Sequence, residues 1–157
     1  MEKESHKPIG ESMEIQGIDL EGLKGYLATR REVAFSFLYG SHAKGTATER
    51  SDVDVAVYFY PRARHPVEIE EEVFYPAESQ IWGDLERILG REVELLVLNR
   101  APAMVAVSAI KGVPLLIREW DLYLDFLENI TDIAEEFAEF IITEYKERAG
   151  IGKGDQT

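Results

Sequence analysis

The sequence predicts an α/β domain closed by one long C-terminal helix, and three observations carry that prediction. Short apolar, β-branched runs recur at 33–39, 52–59, 91–99 and 113–117. Segments of helical period stand before or between them, at 19–27, 75–89 and 101–111. From 119 to 148 the apolar residues keep a helical period without a proline. The chain divides accordingly into a polar N-terminal segment (1–18), a core (19–118), a helical segment (119–149) and a polar tail (150–157).

Each element has a local reason. Leu20, Leu23 and Leu27 share one helical face after Asp19. Val33 to Tyr39 is a buried-strand pattern that runs into Gly40, where the missing Cβ permits a tight turn and a close approach by a ligand. Ser41 then offers a hydroxyl and a backbone N–H at the start of a short helix, a setting that favours phosphate, and Gly45 closes the turn. His42 and Lys44, inside the turn, are further donors for a phosphate.

In Asp52-Val53-Asp54-Val55 the alternation is strand-like. Residues i and i+2 lie roughly 6–7 Å apart on one face, so both aspartates face one way while Val53, Val55, Val57 and Phe59 face the core. Adjacent carboxylates repel, and a divalent cation gives them a reason to stand together. The plain alternative, a surface turn followed by a strand with one polar face, would suffice for an isolated Asp-x-Asp. The glycine-serine turn upstream tips the reading toward a phosphate and metal site.

Pro61 to Glu72 reads as a long loop carrying Arg62, Arg64 and His65. Tyr75 to Leu89 is amphipathic through Ile81, Leu85 and Ile88, and Gly90 stops it before the third strand. Trp82 and Trp120 read as packing residues. Ala101 to Lys111 is a small apolar helix ended by Gly112, and Val113 to Ile117 adds a short strand despite Pro114. The last helix, of about 30 residues, would be about 45 Å long. So small a core does not cover that length, and part of its apolar stripe is expected to meet another chain, either a partner or a second copy. A bend near Asn129, with both pieces packed on the core, is the competing expectation.

Gly40-Ser41, ten intervening residues (42 to 51) and Asp52-x-Asp54, with Gly45 inside the gap, resemble the signature of the DNA polymerase beta-like nucleotidyltransferases. The short chain resembles their minimal, prokaryotic-type branch. That resemblance implies a small mixed sheet flanked by helices, ATP as substrate, Mg2+ held by Asp52 and Asp54, and phosphates bound at Gly40, Ser41, His42, Lys44 and Gly45. It also implies a third acidic residue on a neighbouring strand. Glu94, flanked by Val93 and Leu95 and sharing a face with Leu96 and Leu98, is the first candidate, and Glu92 competes with it. The family's usual residue there is aspartate, so this chain carries the same charge on a longer arm.

Composition narrows the acceptor. With 30 acidic and 17 basic residues and a formal charge of −13, the chain lacks the footprint of a nucleic-acid binder. It has no cysteine, so a thiolate metal site is excluded. No signal peptide or membrane-length apolar run is recognisable, and a cytoplasmic enzyme without a membrane partner is expected. Minimal nucleotidyltransferases of this kind often act as antitoxins that adenylylate a helical HEPN-domain ribonuclease, and an acidic surface suits a basic partner. A small-molecule nucleotidyltransferase of the aminoglycoside-modifying type, and an antitoxin that acts by binding alone, are the alternatives.

Overall fold

The computed structural model describes residues 17–61 and 74–150. Most of the polar N-terminal segment, the loop expected at 61–72 except Pro61, and the tail from 151 lie outside the described residues. In chain order the elements are α1 (Leu20–Thr29), β1 (Val33–Tyr39), α2 (Gly40–Lys44), β2 (Val53–Phe59), α3 (Glu78–Leu89), β3 (Val93–Val97), a 3-10 turn (Leu98–Arg100), α4 (Ala103–Ala109), β4 (Val113–Ile117) and α5 (Trp120–Ala149). The strands form one mixed sheet in the order β3-β2-β1-β4. β1 runs antiparallel to β2 and to β4, and β2 runs parallel to β3.

Alternation along β2 sorts its side chains between two cores. Val53, Val55, Val57 and Phe59 join Leu23 and Leu27 of α1 and Ile81 and Leu85 of α3 in the first. Ala56 and Tyr58, on the other face, join Phe35, Phe37, Ala106 and Ala109 of α4, and Phe126 and Ile130 of α5 in the second. There Phe35 stacks on Tyr58 at 4.5 Å between ring centroids, and the Phe126 ring lies 4.8 Å from Tyr58. Arg118, just past β4, donates to the carbonyls of Val33 and Arg30 at 3.0 Å and of Leu27 at 3.3 Å. A cation therefore closes the C-terminal end of α1, where carbonyls lack helical partners.

One sequence expectation is corrected. The third strand stops at Val97, and Leu98 and Asn99 enter the 3-10 turn. The physical reason is Asn99, whose buried amide accepts from Phe59 N–H and donates to Phe59 C=O, both at 2.8 Å. A side chain there takes the bonds that a longer strand would have made. The long C-terminal helix is as expected: α5 is one helix of 30 residues, and the competing bend near Asn129 is absent. Of these only Phe126 and Ile130 are buried, whereas Phe137, Phe140 and Tyr145 are 49%, 56% and 63% exposed.

Candidate active site

Strand register builds the site. Tyr39 stands opposite Asp54 across the β1–β2 pair, and Asp54 stands opposite Glu94 across the β2–β3 pair. The row Tyr39–Asp54–Glu94 therefore crosses three strands on the face that carries Ala56 and Tyr58, at the end α4 and α5 leave open. Asp52, two residues before Asp54, shares that face. Asp52 and Glu94 are exposed and Asp54 is half-buried.

Charge is concentrated along the row. Burial raises the Asp54 carboxyl above its ordinary pKa, and the charges of Glu94 and then Asp52 raise it further. The Tyr39 phenol is pushed up to about 12, by burial first and then by Asp54 and Glu94. Among the described residues, no side chain hydrogen-bonds or ion-pairs with the carboxylates of Asp52, Asp54 or Glu94. Glu92, the competing third acid, is also exposed, but the strand partner of Asp54 is Glu94. Among the described residues no three carboxylates or imidazoles are drawn together tightly enough to enclose a metal ion by themselves. The donor set still fits Mg2+, which prefers oxygen ligands and usually takes one or two carboxylates, completing its shell with water and substrate phosphates. Asp52, Asp54 and Glu94 are the residues that would hold it.

The turn between β1 and β2 is shaped around Asp54. Gly40 has φ +77°, and a Cβ built on it would collide with the Asp54 carboxylate. Only glycine lets the backbone lie against that carboxylate. No side chain caps the N-terminus of α2, so its first N–H groups are not taken by a cap. Gly45, at φ +80°, ends α2 by donating to Ser41 C=O, and Thr46 N–H donates to the same oxygen at 3.0 Å. Lys44 is exposed on the last turn.

His42 differs from the expected phosphate donor. It is 4% exposed, and among the described residues its buried Nδ1 has no hydrogen-bond partner. Burial lowers its pKa, the nearby charge of Arg91 lowers it further, and the Asp52 carbonyl opposes both. His42 is thus buried beside the Asp52 backbone, where α2 meets the start of β2. Arg91, which sequence reasoning passed over, fixes the same connection from the other side by donating to Glu49 C=O at 3.2 Å and Ser51 C=O at 3.3 Å.

Trp82 was also misread, because it is 47% exposed rather than packed. Its indole N–H donates to Val93 C=O at 2.7 Å, and Glu86 accepts from Val93 N–H at 3.1 Å. Glu78, Trp82 and Glu86 form an i, i+4 face of α3 beside the Ile81 and Leu85 stripe, and that spacing was the signal available in the sequence. Glu78 is held by Arg100, at 2.6 and 2.9 Å. A cleft of about 470 Å³ lies between this face and β3, lined by Asp52, Trp82, Val93, Glu94 and Leu95 among others.

The polymerase beta nucleotidyltransferase family model matches residues 21–121. No curated protein sequence matches the chain. Among solved structures, one of a toxin–antitoxin with AMP-PNP is similar, with TM-score 0.59 and 18% identity over 89% of this chain and 100% of that one. A mutant MntA–HpeT toxin–antitoxin structure has TM-score 0.55 and 16% identity over 85% of this chain and 98% of that one. A third, the tri-AMPylated Shewanella oneidensis HEPN toxin in complex with its MNT antitoxin, has TM-score 0.51 and 15% identity over 88% of this chain and 99% of that one. At such identities these likenesses concern the fold.

Proposed function

The chain belongs to the polymerase beta nucleotidyltransferase family, and from that premise we propose that it transfers AMP from ATP to a hydroxyl of a HEPN-type toxin, acting as its antitoxin. The observation that carries the reading is the row in which Asp54 stands opposite Glu94 while the Gly40 backbone lies against the Asp54 carboxylate. Three unpaired acids beside a glycine-serine turn suit a substrate that is itself anionic and arrives with divalent metal.

In this reaction Gly40 and Ser41 bind the β and γ phosphates through backbone N–H groups and the serine hydroxyl, with Lys44 and Gly45 bordering them. Asp52 and Asp54 are the residues that would hold Mg2+, which when bound would neutralise phosphate charge and ease deprotonation of the acceptor hydroxyl. The acceptor oxygen forms a bond to the α phosphorus as the bond from that phosphorus to the bridging oxygen breaks, and pyrophosphate leaves with the electron pair. Glu94 takes the hydroxyl proton or a share of the metal.

Several features support the choice of acceptor. The similar structures include an AMPylated HEPN toxin bound to its antitoxin. The distal half of α5 carries exposed Phe137, Phe140, Ile141 and Tyr145 beside exposed Asp132, Glu135, Glu136 and Glu139. An apolar stripe edged by acids fits a basic helical partner better than a second copy of an equally acidic chain. Among the described residues no helix is long and apolar enough to cross a membrane.

The test is intact mass spectrometry of the toxin-type partner after incubation with the protein, ATP and Mg2+. The expected result is a mass gain in adenylate steps of roughly 329 Da. Binding without a mass gain would make the chain an antitoxin by contact alone. A gain on an aminoglycoside and on no protein would reassign the acceptor and leave nucleotidyl transfer standing.

A further inference from the structure

Arg91 and His42 meet at another cavity, which nucleotidyl transfer at the carboxylate row does not use. Its volume is about 380 Å³, and its walls include His42 of α2, Thr48 and Glu49 of the α2–β2 connection, Arg91 ahead of β3 and Gly17 ahead of α1. None of Ser41, Asp52, Asp54 and Glu94 lines it. The cavity therefore stands apart from both the serine of the phosphate turn and the catalytic acids.

Arg91 brings to it a positive charge that no carboxylate answers. The chain has 30 acidic residues, yet among the described residues none ion-pairs with this half-buried arginine. A guanidinium carries N–H donors on each of its nitrogens, and here only Nη2 is used, by the carbonyls of Thr48, Glu49 and Ser51. Nε and Nη1 have no acceptor among the described residues. Nη1 lies at the Gly17 side of the cavity, where a Cβ built on Gly17 would stand 3.5 Å from it. Charge withdrawn from water calls for a partner. His42 adds a second open valence: it is 4% exposed, it lines the same cavity, and its buried Nδ1 is without a hydrogen-bond partner. Burial and the charge of Arg91 keep the ring neutral, and a neutral imidazole can carry its proton on Nδ1 as a donor. A ligand oxygen at that atom would restore the bond that burial has removed.

We propose that this cavity is a second anion site, which takes a phosphate-class oxyanion, with Arg91 supplying the charge and His42 and Thr48 the hydrogen bonds. A tetrahedral anion presents acceptor oxygens in several directions at once, and the donors here converge from α2, from the α2–β2 connection and from the approach to β3. A planar carboxylate would meet fewer of them. The volume takes one phosphate group or two joined ones. Glu49, exposed and on the same wall, opposes the anion and limits its affinity. His42 follows Ser41 in the phosphate turn, and Arg91 leads into the strand that carries Glu94. A bound anion would thus brace the turn against β3 without touching either the substrate or the metal ligands.

The test uses the full chain carrying His6→Gln and His65→Gln, which leaves His42 as its only histidine. The probes are inorganic phosphate and pyrophosphate, added without Mg2+ at constant pH and at an ionic strength held with KCl, and the readout is the NMR shift of the His42 ring. A saturable shift is expected, with binding weakened at least about tenfold in Arg91→Gln, the scale of one lost charge-assisted bond. Glu49→Gln should tighten binding about threefold, the scale of one exposed charge interaction. Because Glu49 is exposed, that second variant keeps the result readable even if Arg91→Gln disturbs the connection that its side chain ties down. Tighter binding of pyrophosphate would name the released product as the ligand, and tighter binding of phosphate the free anion, each in support of the site. No shift with either probe, or the same affinity in both variants, overturns the proposal. So does a shift that survives Arg91→Gln and is lost in Ser41→Ala, which would place the anion on the catalytic turn. None of these readouts needs turnover, so a failure of nucleotidyl transfer would leave the result standing.

Discussion

Val53, Val55, Val57 and Phe59 on one face of β2 are all buried beneath α1 and α3, whereas on the other face burial covers Ala56 and Tyr58 and leaves Asp54 half-exposed. The same strand therefore carries a sealed face and an interrupted one. The difference lies in where the cover ends: α4 and the proximal part of α5 pack on Ala56 and Tyr58, with Tyr39 at the margin of that core, and stop short of Asp54 and Glu94. A small domain obtains a polar cleft by covering one sheet face incompletely, and the stability of the whole then rests on the rest of the core. The contrast repeats along α5, whose Phe126 and Ile130 are buried while Phe137 and Phe140 are open.

Changes at the open end should abolish chemistry and spare the fold. Asp52→Asn and Asp54→Asn are each expected to slow pyrophosphate release about a thousandfold, or about 4 kcal/mol, with the circular dichroism spectrum unchanged. Full activity in both variants would remove the carboxylates from the reaction.

Changes at the covered part should do the reverse. Phe126→Ala removes a ring packed on Phe35 and Tyr58 and is expected to cost about 3–4 kcal/mol in urea unfolding. Phe137→Ala should cost under about 0.5 kcal/mol in the isolated chain and instead speed dissociation of a partner. Similar unfolding costs for the two would mean that distal α5 packs on the core after all.

Gly40→Ala tests the junction between the two regions. Positive φ and the collision with Asp54 act together, so a loss of about 2 kcal/mol is expected, accompanied by lost activity. Doubling with Asp54→Ala should recover part of the stability and none of the activity. Glu94→Gln is expected to slow transfer about tenfold, about 1.4 kcal/mol, with Glu92→Gln within about twofold of the parent. The opposite ranking would mean a β2–β3 register shifted by two residues.

The smallest effect concerns Asp54 and pH. A carboxyl whose folded pKa is raised makes the fold bind its proton more tightly, so it destabilises progressively as pH rises from the ordinary carboxylate value through the raised one. Asp54→Asn should therefore raise Tm at neutral pH by about 1 °C, and the gain should vanish below the ordinary carboxylate pKa, where the side chain is protonated in both states. A gain that persists in acid would point to packing in place of charge.

The chemistry was legible where it depends on neighbours in sequence. Gly40-Ser41 and Asp52-Val53-Asp54 carry their geometry with them, because a positive-φ glycine and an i, i+2 pair are local matters. Pro114 in β4 was readable too, since an edge strand tolerates it. Long-range pairing was not. Nothing in 91–99 states that Glu94, rather than Glu92, stands opposite Asp54, and only the register of two strands about forty residues apart decides it. The burial of His42 was not legible either, because the segment that covers it, around Asp52, lies across the loop. Trp82 looked buried because tryptophan in an amphipathic helix normally packs, whereas here it lies one position off the Ile81 and Leu85 stripe and turns to the free edge of β3.

The most direct test of the central claim follows the label from ATP carrying radioactive phosphorus at either the α or the γ position. With Mg2+ and the toxin-type partner, the α label should appear on the partner and the γ label in pyrophosphate, and neither should move with Asp54→Asn. Transfer of the γ label to the partner, or transfer of the α label undiminished in Asp54→Asn, would contradict nucleotidyl transfer at this row of carboxylates.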